Sequence, residues 1–205
     1  MGGLIVAAII LYAAVIDTPA GERDVRRFDA DRTAARELDM WKAYYEKRNV
    51  ALFSGLVAQT RETYRCSWWK AARIAFYLAR AAATFGSLRS DYEQVLPDLE
   101  KGYGLARDWL GARYDVPSIA RAELAWWVAR RVPGQDSPEQ VGALIADLNA
   151  QFYDVPRDRV LEASVLRARA GKLRDQGGVN ADWAEVARLL LASYRSLYAG
   201  VSRQP

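Results

Sequence analysis

The chain has 205 residues, is 51% hydrophobic and 26% charged, and carries a net charge of +4 with a pI near 9.2. It contains no histidine, which excludes H-E-x-x-H and Glu-x-x-His metal sites, Ser-His-Asp and Cys-His catalytic pairs, and haem or chlorophyll held by imidazole. A single cysteine, Cys66, excludes an intrachain disulfide, and arginines interspersed with acids describe a solvated surface rather than a nucleic-acid groove.

Met1 to Ile16, MGGLIVAAIILYAAVI, is apolar and uncharged. At about 1.5 Å per residue it reaches roughly 22 Å, short of the about 30 Å of a bilayer core. Asp17 and Pro19 end it, since an acid avoids hydrocarbon and proline cannot continue a helix. A cleaved secretory signal needs a basic start, and no Lys or Arg precedes Arg23. A buried core helix is one alternative. The preferred expectation is a short transmembrane anchor built on Leu4, Ile5, Val6, Ile9, Ile10, Leu11, Tyr12, Val15 and Ile16, with Gly3 and Ala7 as a small-residue contact step. All basic residues follow the anchor. The expected location is therefore a bacterial inner membrane, single-pass, with the domain on the cytoplasmic side.

Residues 17–30 read as a polar linker and 31–205 as one all-helical extrinsic domain of about seven helices. Ala, Leu, Arg and Glu dominate after the anchor, a helix-forming composition. Asp29 or Asp31 is placed to cap a long helix running to about Arg65, with Leu38, Trp41, Tyr45, Leu52 and Leu56 on one stripe and a kink allowed at Gly55. Ser67 opens a helix, WWKAARIAFYLARAAATF, that is apolar nearly all round and ends at Gly86. Ser90 with Glu93 has capping-box spacing for its partner, although Pro97 offers an alternative first turn. The next helix opens at Pro117, and Ser137, Pro138 and Gln140 start the one after it. A helix from Pro156 to about Asp175 stops at Gly177 and Gly178, and Asn180 is the expected cap of the last.

These helices repeat in pairs. SDYEQVLPDL, DSPEQVGALI and ADWAEVARLL align on Val95, Val141 and Val186, at intervals of 46 and 45 residues. YDVP opens two hairpins, at Tyr114–Pro117 and Tyr153–Pro156, each followed by a glutamate, Glu123 and Glu162. A period near 45 with two helices per unit is the signature of a helical-repeat array, although it does not separate an open array from a closed bundle.

FYLARAAATFG followed by DYEQVLPDLEKGY resembles a degenerate tetratricopeptide repeat, with Leu-Ala in the first helix and Phe-Gly at the turn. The turn is longer than in that family, and Val95 stands where its alanine is expected. The resemblance implies stacked antiparallel hairpins that bind other proteins and carry no chemistry. One span plus an extrinsic helical domain without pigment ligands is also similar, in architecture only, to accessory subunits of photosynthetic reaction-centre–antenna complexes.

Two adjacent tryptophan pairs, Trp68-Trp69 and Trp126-Trp127, precede basic residues that include Arg130 and Arg131. Neighbours on a helix point about 100° apart, so each pair can place one ring inward and one outward, and outward Trp with Arg marks interfaces. All six are candidate interface residues, with burial of both rings as the alternative. The carboxylate pairs Asp91/Glu93 and Asp98/Glu100 suit first turns of helices, and Cys66, lacking a base, reads as inert. The sequence-based expectation is a non-catalytic, membrane-anchored scaffold without cofactors. It would hold other subunits of a large photosynthetic or respiratory membrane complex in the bilayer and bind no nucleic acid. A tetratricopeptide-like adaptor for a soluble partner, or an enzyme built from carboxylates and tyrosine, are the alternatives.

Overall fold

A computed structural model of the chain describes residues 16–202. They are all-α: eight helices run α1 (Ala30–Tyr45), α2 (Asn49–Tyr64), α3 (Trp68–Ser87), α4 (Leu96–Leu110), α5 (Val116–Ala129), α6 (Pro138–Tyr153), α7 (Asp158–Gly177) and α8 (Trp183–Val201). Short 3-10 turns lie at Ala20–Glu22, Tyr92–Val95 and Gly178–Asn180.

Side-chain caps set four of the eight helix starts, whereas Ser67 makes no cap hydrogen bond at the start of α3. Asp29 accepts from Arg32 N at 3.0 Å, Asp115 from Ser118 N at 2.9 Å, Ser137 from Gln140 N at 3.2 Å and Asp182 from Glu185 N at 3.0 Å. Each fills one orphan donor of a first turn, typically worth ~1 kcal/mol. The final cap is therefore Asp182, not Asn180. Pro97 sits in the first turn of α4, and Ser90 caps nothing because a 3-10 turn precedes that helix.

The long helix expected to reach Arg65 is two helices. The chain reverses at Glu46–Arg48, where Lys47 takes a left-handed φ of 58°, and α2 returns alongside α1. Gly55 is consequently no kink. A Cβ there would stand 2.8 Å from Met40 Cγ, so the missing side chain is what lets the two helices approach. Gly142 does the same for α6 and α7, with Val165 Cα 2.6 Å from the Cβ position.

Every helix packs on the one before and the one after it, and α1 also packs on α8, so the chain closes into a ring of helices. The aligned valines are all core residues, Val95, Val141 and Val186 being 1%, 4% and 0% exposed, although Val95 ends the 3-10 turn before α4 while the other two lie within α6 and α8. Charged contacts draw α1 onto the end of the ring. Arg195 grips Asp31 through two bonds of 2.8 and 2.7 Å, and the buried Glu37 accepts from Arg167 and from Tyr194 Oη.

Residues 17–30 are bonded to this body. Arg23 donates to the Trp109 carbonyl and lies over its ring, Arg26 donates to the Tyr153 carbonyl, and Val25 and Phe28 pack on core clusters. Asp17 accepts from Ser67 N and pairs with Lys70. This corrects the expectation of a transmembrane helix followed by an extrinsic domain, and with it the single-pass inner-membrane location. Among the described residues no helix is long and apolar enough to cross a membrane. The proposed anchor was already short for a bilayer, and the first acid after it is tied to α3. Leu4, Ile5, Val6, Ile9, Ile10, Leu11, Tyr12 and Val15 lie outside the described residues, while Ile16 is 44% exposed.

Candidate functional site

The two tryptophan pairs meet different environments. On α5 both rings are half-buried. Trp127 donates to Glu123 Oε1 at 2.9 Å, and Tyr103 Oη donates to Glu123 Oε2 at 3.0 Å. Desolvation pushes the Glu123 carboxyl above its ordinary range despite these donors and the positive field of Arg167. Trp126 packs on two core clusters with Arg167 5.2 Å and Arg130 5.6 Å from its ring, and its buried indole N–H lies near enough to Glu123 to favour the carboxylate but makes no hydrogen bond of ordinary geometry among the described residues. Arg130 faces Asp175 at 3.5 Å. Arg131 donates to the carbonyls of Phe85 and Leu88 and lies 3.8 Å from the Phe85 ring, closing the C-terminus of α3. The α5 pair and its two arginines are thus engaged by groups of this chain, although Arg131 is itself exposed.

On α3 both rings reach solvent: Trp68 is 42% exposed and Trp69 64%. Phe76 is 49% exposed, and Arg73 and Arg80 are exposed as well. Positions 69, 73, 76 and 80 follow helical spacing, so two aromatic rings and two guanidinium groups form one outward line of about three turns. The opposite side of the helix, with Ala71, Ile74, Ala75, Ala81 and Phe85, is buried. Arg80 pairs with Asp98 and lies 5.3 Å from the Phe76 ring, which fixes the lower half of the line. Arg73 borders a small hollow of about 270 Å³ shared with Ile74, Leu105 and Trp109.

Trp68 turns the other way, into a groove of about 990 Å³ between residues 16–19, the start of α1 and the end of α2. The antiparallel α1–α2 hairpin sets Arg32 and Arg36 across from Arg61 and Arg65, and Arg27 joins them. Glu62 stands between the two helices, 2.6 Å from Arg36 and 3.7 Å from Arg32. Ile16, Phe28, Trp68 and Tyr198 supply the apolar wall. Sequence reasoning passed over this groove. Its available signal was two Arg-Arg pairs at i, i+4, an arrangement of like charges that a helix does not favour.

Glu123 and Glu162, alike in sequence, share no partner: Glu162 is exposed and accepts from Ser196 at 2.9 Å. Of the first-turn acids, Asp98 is held by Arg80. Cys66 is buried, and desolvation pushes its thiol up to about 11, which disfavours the reactive thiolate. Among the described residues no three His, Cys, Asp or Glu side chains gather as a metal site. No protein-family model matches the chain, and no curated protein or solved structure matches it significantly.

Proposed function

We propose that this protein is a non-catalytic helical scaffold whose outer α3 face docks a partner protein. The observation that carries the reading is the exposed line Trp69, Arg73, Phe76 and Arg80. Large aromatic rings left in water on a helix whose other side is fully packed are the composition of an interface core, where Trp and Arg supply most of the binding energy. The ring supports this use. Its own core absorbs the second tryptophan pair, so α3 is presented on a rigid body that loses little entropy on binding.

Photo-crosslinking in the cells that produce the protein tests this. A benzoyl-phenylalanine at position 73 is expected to give one discrete heteromeric adduct, and the same group at the exposed Arg188 on α8 to give none. Trp69→Ala with Phe76→Ala should abolish the adduct while leaving the unfolding midpoint within about 0.5 kcal/mol, as surface changes usually do. Equal labelling from both positions, or an adduct that survives the double substitution, would overturn the proposal.

A further inference from the structure

A different observation, independent of the α3 face, points to a ligand. We infer that the groove between α1 and α2 binds a phosphorylated small molecule with an apolar or aromatic body. The charges of the groove are unevenly matched. Five arginines face four acids, and three of the acids are engaged: Asp17 holds Lys70 and Ser67 N, Asp29 caps α1 and meets Arg32, and Glu62 holds Arg36, while the fourth, Glu22, is exposed. Arg61 lies over the Trp68 ring at 4.9 Å and Arg65 donates to the Arg27 carbonyl at 2.9 Å. Neither meets a carboxylate among the described residues, and Arg27 stands 3.7 Å from Asp24 with its side chain 75% exposed. Residues 1–15 contain no further Asp or Glu.

Arg61, in the last turn of α2, and Arg65, the left-handed residue that ends the helix, line the groove with Arg32 and Arg36 of the facing helix. Arg61 and Arg65 are the forks left for an anion with several oxygens, and Arg32 and Arg36, already paired with Asp29 and Glu62, add positive field from the other wall. Phosphate fits this demand better than a single planar carboxylate, which one fork already satisfies. The volume of about 990 Å³ is at the upper end of small-molecule sites and far exceeds one phosphate. Phe28, Trp68 and Tyr198 therefore remain to hold the rest of the ligand, and the exposed Trp68 face offers a stacking surface.

Calorimetric titration of the full chain at near-physiological ionic strength, with pyrophosphate and with ADP as probes, tests the inference. Both are expected to bind in a one-to-one ratio, ADP the more tightly, and each should raise the melting temperature. Arg61→Ala, which removes no hydrogen bond within the described residues, should weaken pyrophosphate at least tenfold, and Trp68→Ala should erase the advantage of ADP. Arg73→Ala on the outer α3 face should change neither. The inference is overturned if pyrophosphate gives no heat, or if Arg61→Ala binds it unchanged. It is equally overturned if the protein cosediments with anionic phospholipid vesicles while ignoring both soluble probes.

Discussion

Glu37→Ala removes the acceptor at the centre of ring closure, and its cost can be worked from the contacts. The Glu37 carboxylate is 7% exposed and takes bonds of 2.5 Å from Arg167 Nη2 and 2.6 Å from Tyr194 Oη. Breaking one side of a buried ion pair costs about 3–5 kcal/mol, because the surviving charge is left without a partner. Arg167 keeps 25% of its side chain in contact with solvent and feels Glu123, so the lower end of that range applies, about 3 kcal/mol. In a chain of this size that corresponds to a fall in melting temperature of roughly 6–12 °C. Urea unfolding followed by far-ultraviolet circular dichroism measures it, and the slope against urea should not change. The decisive comparison is the double variant Glu37→Ala with Arg167→Met, which removes the orphaned charge and should recover at least about 1 kcal/mol. A single variant costing under 1 kcal/mol, or a double variant no more stable than the single, would refute the claim that this pair closes the ring.

Two further outcomes follow from the same interior. Because Glu123 titrates higher folded than unfolded, the native state binds its proton more firmly, so this group's contribution to stability falls as pH rises from about 4.5 through its folded value. Glu123→Gln should therefore gain on the parent between pH 4.5 and 7.5 in urea midpoint, and parallel profiles would show that the carboxyl is not desolvated. Gly200→Ala would drive a Cβ to 2.1 Å from the Arg159 carbonyl oxygen and should cost ~2–3 kcal/mol, whereas Gly86→Ala meets nothing within 4 Å and should be neutral or gain up to about 1 kcal/mol. A Gly200→Ala variant that melts no lower than the parent would contradict the close approach of α8 to the start of α7.

Local chemistry made much of the fold readable. Ser137 and the aligned valines needed only sequence spacing, because a cap and a core position are set by neighbours three or four residues away. The reversal at Glu46–Arg48 escaped for the same reason. Those residues favour helix, no glycine marks the left-handed Lys47, and the step from Tyr45 to Leu52 keeps the apolar stripe in phase across the break. Ring closure was unreadable in principle, since Asp31 meets Arg195 and Glu37 meets Tyr194 across 164 and 157 residues, and nothing local distinguishes those acids from their neighbours. The tryptophan pairs looked equivalent because adjacency to arginine is visible in sequence, whereas the direction of the arginine is not. Arg131 turns to the end of α3, and Arg73 stays in water.

A ring closed by its first and last helices also sets an order of assembly. A ribosome releases α1 before any other described helix, yet the surface that receives it on α7 and α8 is the last to be made. Throughout synthesis the apolar side of α1 that later meets α8, with Ala34, Leu38 and Trp41, has only the α2 hairpin beside it. The final closing step must then join segments separated by nearly the whole chain, a slow kind of contact to form. A truncated product lacking α8 would keep most of its hairpins and still expose that surface, which makes completion of the last helix the event that protects the newborn chain from sticking to its copies.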